Sequence, residues 1–227
     1  MNKRGMLIDI EGGDGSGKTD QAKRLFERLE TEGVDAAFFD FPRYYDSRIG
    51  KLIGELLAGK HGDFMGLSPY ISALPYAIDR VGARDEVAQA LEQGKVLVSN
   101  RYTPSNLAHQ SAKLPPDEQP TLAEFIEGIE YDDLKIPRPD LVFYLSVPTD
   151  VSAELIMKKD KRDYLGGDTR DLAERNNAHQ DRTRAAYLRL AKDKDWHVIE
   201  CAPEGAMRTR EDIHNEIWRI VEEHLPR

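Results

Sequence analysis

Five short apolar runs mark the chain: MLIDI (6–10), DAAFFDF (35–41), VLVSN (96–100), LVFYLSV (141–147) and HVIEC (197–201). Each is followed within a few residues by loop or helix signals, and each predicts a buried strand. Between them apolar positions recur at helical spacing, predicting helices over about 17–32, 47–58, 68–93, 103–112, 120–134, 149–158, 171–193 and 209–224. Strands that alternate with helices predict an α/β fold, a five-stranded parallel sheet with helices on both faces. In the long segment 68–93, Ser68 and Pro69 read as a helix cap and first helical residue, and Pro75 reads as a kink. Ile71, Leu74, Ile78, Val81 and Leu91 fall on one stripe of that segment, which predicts its core-facing side. Tyr76 and Arg80, one turn apart, fall nearly opposite, where a stacking ring and a donor would suit a nucleobase.

Composition narrows this picture. A chain of 227 residues is long enough for a substantial core and reads as one domain, 1–227. The formal charge of −9 disfavours a general grip on nucleic acid or an anionic membrane. Cys201 stands alone and reads as a small apolar filler, no apolar stretch is long enough to cross a membrane, and MNKRG leads into too few apolar residues for a secretory leader. These features together predict a cytoplasmic protein.

The first helix opens with chemistry. Gly12, Gly17, Lys18 and Thr19 in GGDGSGKT fit G-x-x-x-x-G-K-[ST], placed between a strand and a helix as a P-loop requires. Residues Gly12, Gly13, Asp14, Gly15, Ser16 and Gly17 would wrap backbone N–H groups around phosphates at a helix N-terminus. Lys18 would reach the terminal phosphates, and Thr19 would offer its hydroxyl to Mg²⁺. The expected co-substrate is ATP. A guanine-reading Asn-Lys-x-Asp is missing, as is the acidic pair that ends a strand in mechanical ATPases. Two arginines follow strands instead, Arg43 in FPRY and Arg101 in NRYTPSNLAHQ. In a parallel sheet the strand ends share one edge with the P-loop, so both guanidinium groups can turn toward a second phosphate there.

The blocks EGGDGSGKT, FPRY with IGKLIGELLAG, PYAIDR, NRYTPSNLAHQ, PDLVFYLSVP and DLAERNNAHQDRTRAAYLRLA follow one another as in thymidylate kinases. The resemblance spans nearly the whole chain. It implies a P-loop kinase that moves the γ-phosphoryl group of ATP to dTMP, giving dTDP and ADP, and that works as a homodimer. It implies that Arg43 and Arg101 hold the monophosphate and that Tyr76 stacks on thymine while Arg80 donates to its edge. Ser105, Asn106 and Gln110, with His109 beside them, would complete the pocket. Asp14 would read the sugar's 3′-hydroxyl or help the metal, alongside Thr19. A lid at about 158–175 would close over the triphosphate, hinged at Gly166 and Gly167. Because Gly15 stands where some members carry arginine, the catalytic arginine would come from the lid, Arg162 or Arg170, with Arg175 a weaker candidate.

Two positions depart from the family pattern. Asn100 replaces the aspartate that commonly precedes the arginine of the NRY block, which removes a carboxylate from the metal's surroundings; Asp14, Asp171 or Glu174 are candidates to replace it, and Thr19, phosphates and water alone are another way to hold the ion. His109 takes a place often held by another aromatic. Both leave open a different nucleoside monophosphate, or a nucleoside, as acceptor. A non-catalytic ATP-binding switch is the reading that the two strand-end arginines oppose. Asp9, inside the first strand, requires a partner that the sequence does not name.

Overall fold

The computed structural model describes residues 4–157 and 177–225. Five strands form where the apolar runs predict, within two residues at either end: β1 (Met6–Gly12), β2 (Ala36–Asp40), β3 (Val96–Asn100), β4 (Leu141–Ser146) and β5 (His197–Glu200). They pair in parallel in the order β2-β3-β1-β4-β5. The three central strands are buried along their whole length, which is why their sequences are nearly continuous apolar runs.

Around the sheet lie α1 (Lys18–Thr31), α2 (Arg48–Leu57), α3 (Pro69–Ser72), α4 (Leu74–Glu92), α5 (Thr103–Ser111), α6 (Gln119–Glu127), α7 (Thr149–Met157), α8 (Asn177–Asp193) and α9 (Arg210–His224), with a π-helical turn, Gly128–Asp133, continuing α6. Alternate β1 side chains face opposite layers. Met6, Ile8 and Ile10 pack with α1 and α9, where Leu25, Leu29, Ile217 and Trp218 meet them. Cys201 lies in this layer, its thiol pushed up to about 12 by burial. Leu7 faces the other layer, under α4, with Val87, Leu91 and Tyr102. Leu107, Leu122, Tyr187 and Leu190 of α5, α6 and α8 extend that layer. Helices therefore cover both faces.

The segment 68–93 differs from its sequence reading. It is two helices, and Pro75 sits in the first turn of α4, where its missing N–H costs no helical hydrogen bond, rather than at a kink. Its stripe holds only in part: Leu91 is buried and Val81 packs against the core, but the two isoleucines turn outward. Ile71 is 57% and Ile78 50% exposed, whereas Ala77, Asp79, Arg80, Ala83, Val87 and Leu91 face inward. The cause is tertiary: the inward side of α4 meets Arg43 at Asp79 and Glu130 at Arg80, and these long-range pairs set which side of the helix turns inward although burying charge is itself costly. Arg80 is thus buried, not on a solvated face.

Candidate active site

The site is built where β1, β2 and β3 end. Gly17 caps α1 with φ +85°, a left-handed conformation open to glycine at little cost, and a Cβ on Gly12 would run into the Ser16 side chain. Gly13, Gly15 and Ser16 complete the loop, with Ser16 N–H donating to the Gly13 carbonyl at 3.3 Å. Lys18 is 7% exposed; its ammonium donates to that same carbonyl at 3.1 Å and lies 3.5 Å from Asp14.

Arg101 follows β3 with φ +66°, a strained value for a residue with a side chain. Its N–H is held by the Ile10 carbonyl at 3.2 Å. This backbone aims the guanidinium across the strand ends, where Nη2 donates to Asp14 at 2.7 Å and Nη1 to Ser105 Oγ at 2.9 Å. Nη1 also meets His109 Nε2 at 3.2 Å. Since the guanidinium can only donate, Nε2 accepts and the ring proton sits on Nδ1. Burial, then the charge of Arg101, holds His109 well below its ordinary pKa, so the ring is neutral.

Beneath this cluster lies Glu11, fully buried at the end of β1. It accepts from the N–H groups of Tyr102 and Ser105, both at 2.9 Å, from Ser105 Oγ at 2.6 Å and from Tyr187 Oη at 2.7 Å. One carboxylate thereby ties the P-loop strand to the start of α5 and to α8. Asp9, on the same face, is also fully buried, and neither of its oxygens has a hydrogen-bond partner among the described residues. Burial first, and Glu11 second, hold its pKa well above the ordinary carboxylate range.

A cavity of about 270 Å³ runs from the P-loop into the acceptor side. Asp14, Lys18, Thr19 and Arg101 line one end; Tyr76, Asn106, Gln110 and Phe64 line the other, with Ser105 and His109 between. The Tyr76 and Phe64 rings stand 6.3 Å apart on that wall. Gln110 accepts from Ser72 Oγ at 2.7 Å, and Asn106 donates to Glu130 at 2.8 Å and to the Ala73 carbonyl at 3.1 Å. Most of the sequence-selected residues are therefore brought together.

Two are placed otherwise. Arg43 does not line the cavity: its Nη2 donates to the Asp79 carbonyl at 3.0 Å, and its guanidinium lies over Gly82 on α4. Arg80 does not line it either. Its Nε donates to Glu130 at 2.6 Å and its Nη2 to the second carboxylate oxygen, so the guanidinium braces the wall from behind. In both cases a buried acid, Asp79 or Glu130, captures the arginine before it can face outward. Arg162, Arg170 and Arg175, Asp171, Glu174 and the glycine pair of the lid lie outside the described residues.

The structure adds lining residues that sequence reasoning passed over. Tyr44 stands in the place expected for Arg43, one residue on. His179 of α8 lines the cavity, with burial pushing its ring down to about 4. Asp40, Lys113 and Asn100 line it as well. Strand-end position could have pointed to Asp40 and Tyr44; His179 and Lys113 carry no signal short of the fold.

A parallel sheet with a P-loop after its first strand, and a cavity leading from that loop to an aromatic wall, defines a P-loop nucleotide kinase. Comparison with known proteins is specific. Residues 10–217 match the thymidylate kinase family, and the chain belongs to it. The thymidylate kinase of Mycobacterium tuberculosis is 34% identical over 186 residues, 82% of this chain and 86% of its own length. That of Halothermothrix orenii is 33% identical over 229 residues, 96% of this chain and 97% of its own. Among solved structures, the thymidylate kinase of Candida albicans, described as having broad substrate specificity, superposes with a TM-score of 0.73 at 25% identity, covering 97% of this chain and 92% of that one.

Proposed function

We propose that this chain transfers the γ-phosphoryl group of ATP to dTMP, giving dTDP and ADP, with donor and acceptor meeting in the one cavity. The observation that carries this reading is the continuity of that cavity from Lys18 and Thr19, through Arg101, to the Tyr76 wall. Phosphoryl transfer demands positioning and positive charge more than covalent chemistry, and the acceptor phosphate needs no general base. The P-loop, Gly12 to Thr19, takes the triphosphate, and Lys18 supplies charge at the transferred group. Arg101 takes the acceptor phosphate, Asp14 orients Arg101 and the sugar, and Ser105, Asn106, His109 and Gln110 form the pocket around the base stacked on Tyr76. Arg43 and Arg80 act as positioning residues, and the lid, 158–175, brings Arg162 or Arg170. The chain works as one domain, in the cytoplasm, on free nucleotides rather than nucleic acid; no described helix is long and apolar enough to cross a membrane.

The residues at the P-loop mouth fit Mg²⁺. Thr19 and Asp40 are exposed, hard oxygen donors; among the described residues, Asn100 Oδ1 is buried with no hydrogen-bond partner and no cluster of three acids or histidines competes for a softer ion. When bound with ATP, the ion neutralises charge on the phosphates.

The test is a panel of nucleoside monophosphates and nucleosides with ATP, read as ADP release. dTMP is expected to give the highest kcat/KM. A preference for another acceptor would move the assignment to a sister kinase, a reading that Asn100 and His109 leave open. ATP binding with no acceptor-dependent turnover would make the protein a switch. Arg101→Ala is expected to raise the KM for dTMP by about tenfold to a hundredfold, the worth of a charge-assisted contact of roughly 1.5–3 kcal/mol. ATP affinity should change little; equal losses for both nucleotides would reverse the assignment.

The outward stripe supports a homodimer. Leu52 of α2, Ile71 of α3 and Ile78 of α4 expose apolar surface on neighbouring helices of one face, and a second copy would cover it. Ile78→Asp should convert a two-chain species into one of 25.8 kDa in analytical ultracentrifugation. A wild-type chain that sediments as a monomer at micromolar concentration would end this reading.

A further inference from the structure

Asp40 ends β2 in direct register with Asn100 at the end of β3, and the two lie side by side on neighbouring strands. Asn100 Nδ2 donates to Asp40 Oδ1 at 2.8 Å and to Thr19 Oγ1 at 3.2 Å. A single amide therefore links the P-loop hydroxyl to a carboxylate. The carboxylate is exposed to the cavity. Asp14, the other acid at this mouth, is spoken for: its Oδ1 takes Arg101 at 2.7 Å and lies 3.5 Å from Lys18, and Gln180 approaches its Oδ2 at 3.5 Å.

We infer that Asp40 is the carboxylate that positions the nucleotide-bound Mg²⁺ in this chain, acting beside Thr19 and through Asn100. The charge that Asn100 lacks stands one strand further out. Two observations converge on this role. An exposed carboxylate at a strand end, sharing an edge with the P-loop, can accept from the ion's water shell, which Mg²⁺ gives up reluctantly. Asn100 spends its two N–H bonds on Asp40 and Thr19, which fixes its amide so that Oδ1 remains as a second acceptor with no partner among the described residues. The arrangement keeps one negative charge at the metal position while Asn100 fills the strand end next to the P-loop. The inference rests on the P-loop reading above.

The experiment measures the affinity of a non-hydrolysable ATP analogue by calorimetry, with and without Mg²⁺, for the wild type, Asp40→Asn and the exchanged pair Asp40→Asn/Asn100→Asp. Wild type is expected to gain affinity on addition of Mg²⁺; no gain would fail the P-loop reading itself. Asp40→Asn is expected to lose at least about tenfold of that gain, with metal-free affinity equal or higher because a negative charge near the phosphates is gone. The exchanged pair should restore the gain to within about threefold, since the carboxylate has moved only to the adjoining strand. If Asp40→Asn keeps the full gain, or weakens metal-free and metal-bound affinities alike, Asp40 has no part in holding the ion. If the exchanged pair, shown folded by circular dichroism, stays as impaired as the single variant, a carboxylate at this place is not what the ion requires and the inference falls.

Discussion

Lys18→Ala is expected to lower kcat at least about a hundredfold while leaving the fold intact. The fold survives because, among the described residues, the side chain's contacts are local: a hydrogen bond to the Gly13 carbonyl and a charge contact with Asp14, which keeps its bond to Arg101. The chemistry suffers because the ammonium is nearly buried at the end of the cavity where donor phosphates enter, and a charge aimed at the transferred group in a sheltered site is worth about 3–4 kcal/mol in the transition state. That energy corresponds to a factor of roughly 10²–10³. Arginine should not rescue the loss, because a planar fork cannot replace a point charge held by the loop's own carbonyl. Steady-state kinetics with saturating ATP and dTMP, paired with thermal melting, measures both halves. Turnover within a few-fold of wild type would remove Lys18 from the reaction.

How far the sequence anticipated this site depends on what kind of signal each residue carries. The loop from Gly12 to Thr19 is legible because its work is done by backbone, and backbone conformations such as that of Gly17 demand glycine at fixed spacing. The strands are legible because burial on both faces leaves little but apolar side chains in β3 and β4. Arg101 is legible from its place one residue beyond β3, and the structure adds the strained φ that directs it.

Arg43 and Arg80 show the limit. Position alone puts both near the acceptor, yet whether a guanidinium faces a cavity or a carboxylate depends on acids 36 and 50 residues away in sequence. Periodicity failed in the same region for a related reason. A helical stripe says that one face is apolar, not which neighbour covers it, and here Ile71 of α3 and Ile78 of α4 turn outward while α4 buries charge. Glu11 was hidden in plain sight within the EGGDG stretch, since four donors converge on it from two later segments, the start of α5 and α8.

The second large effect is on stability. Glu130→Ala is expected to destabilise the protein by about 3–5 kcal/mol, because it leaves the Arg80 guanidinium, itself only 4% exposed, buried without its counter-charge. For a chain of this length the melting temperature should fall by about 10 °C. Thr103 and Asn106 lose an acceptor at the same time, at 2.7 and 2.8 Å respectively. Glu130→Gln should fall between, since the amide keeps one acceptor oxygen but presents N–H groups to donors. The paired change Arg80→Met/Glu130→Leu separates the two consequences. Without charges to desolvate, an apolar pair of similar size should recover most of the lost stability. It cannot restore the bond that sets the Asn106 amide on the cavity wall, so the KM for dTMP should stay raised while the KM for ATP does not move. A paired variant with a wild-type KM for dTMP would mean that the buried ion pair serves the fold alone, and a Glu130→Ala protein that melts with the wild type would mean that it does not serve even that.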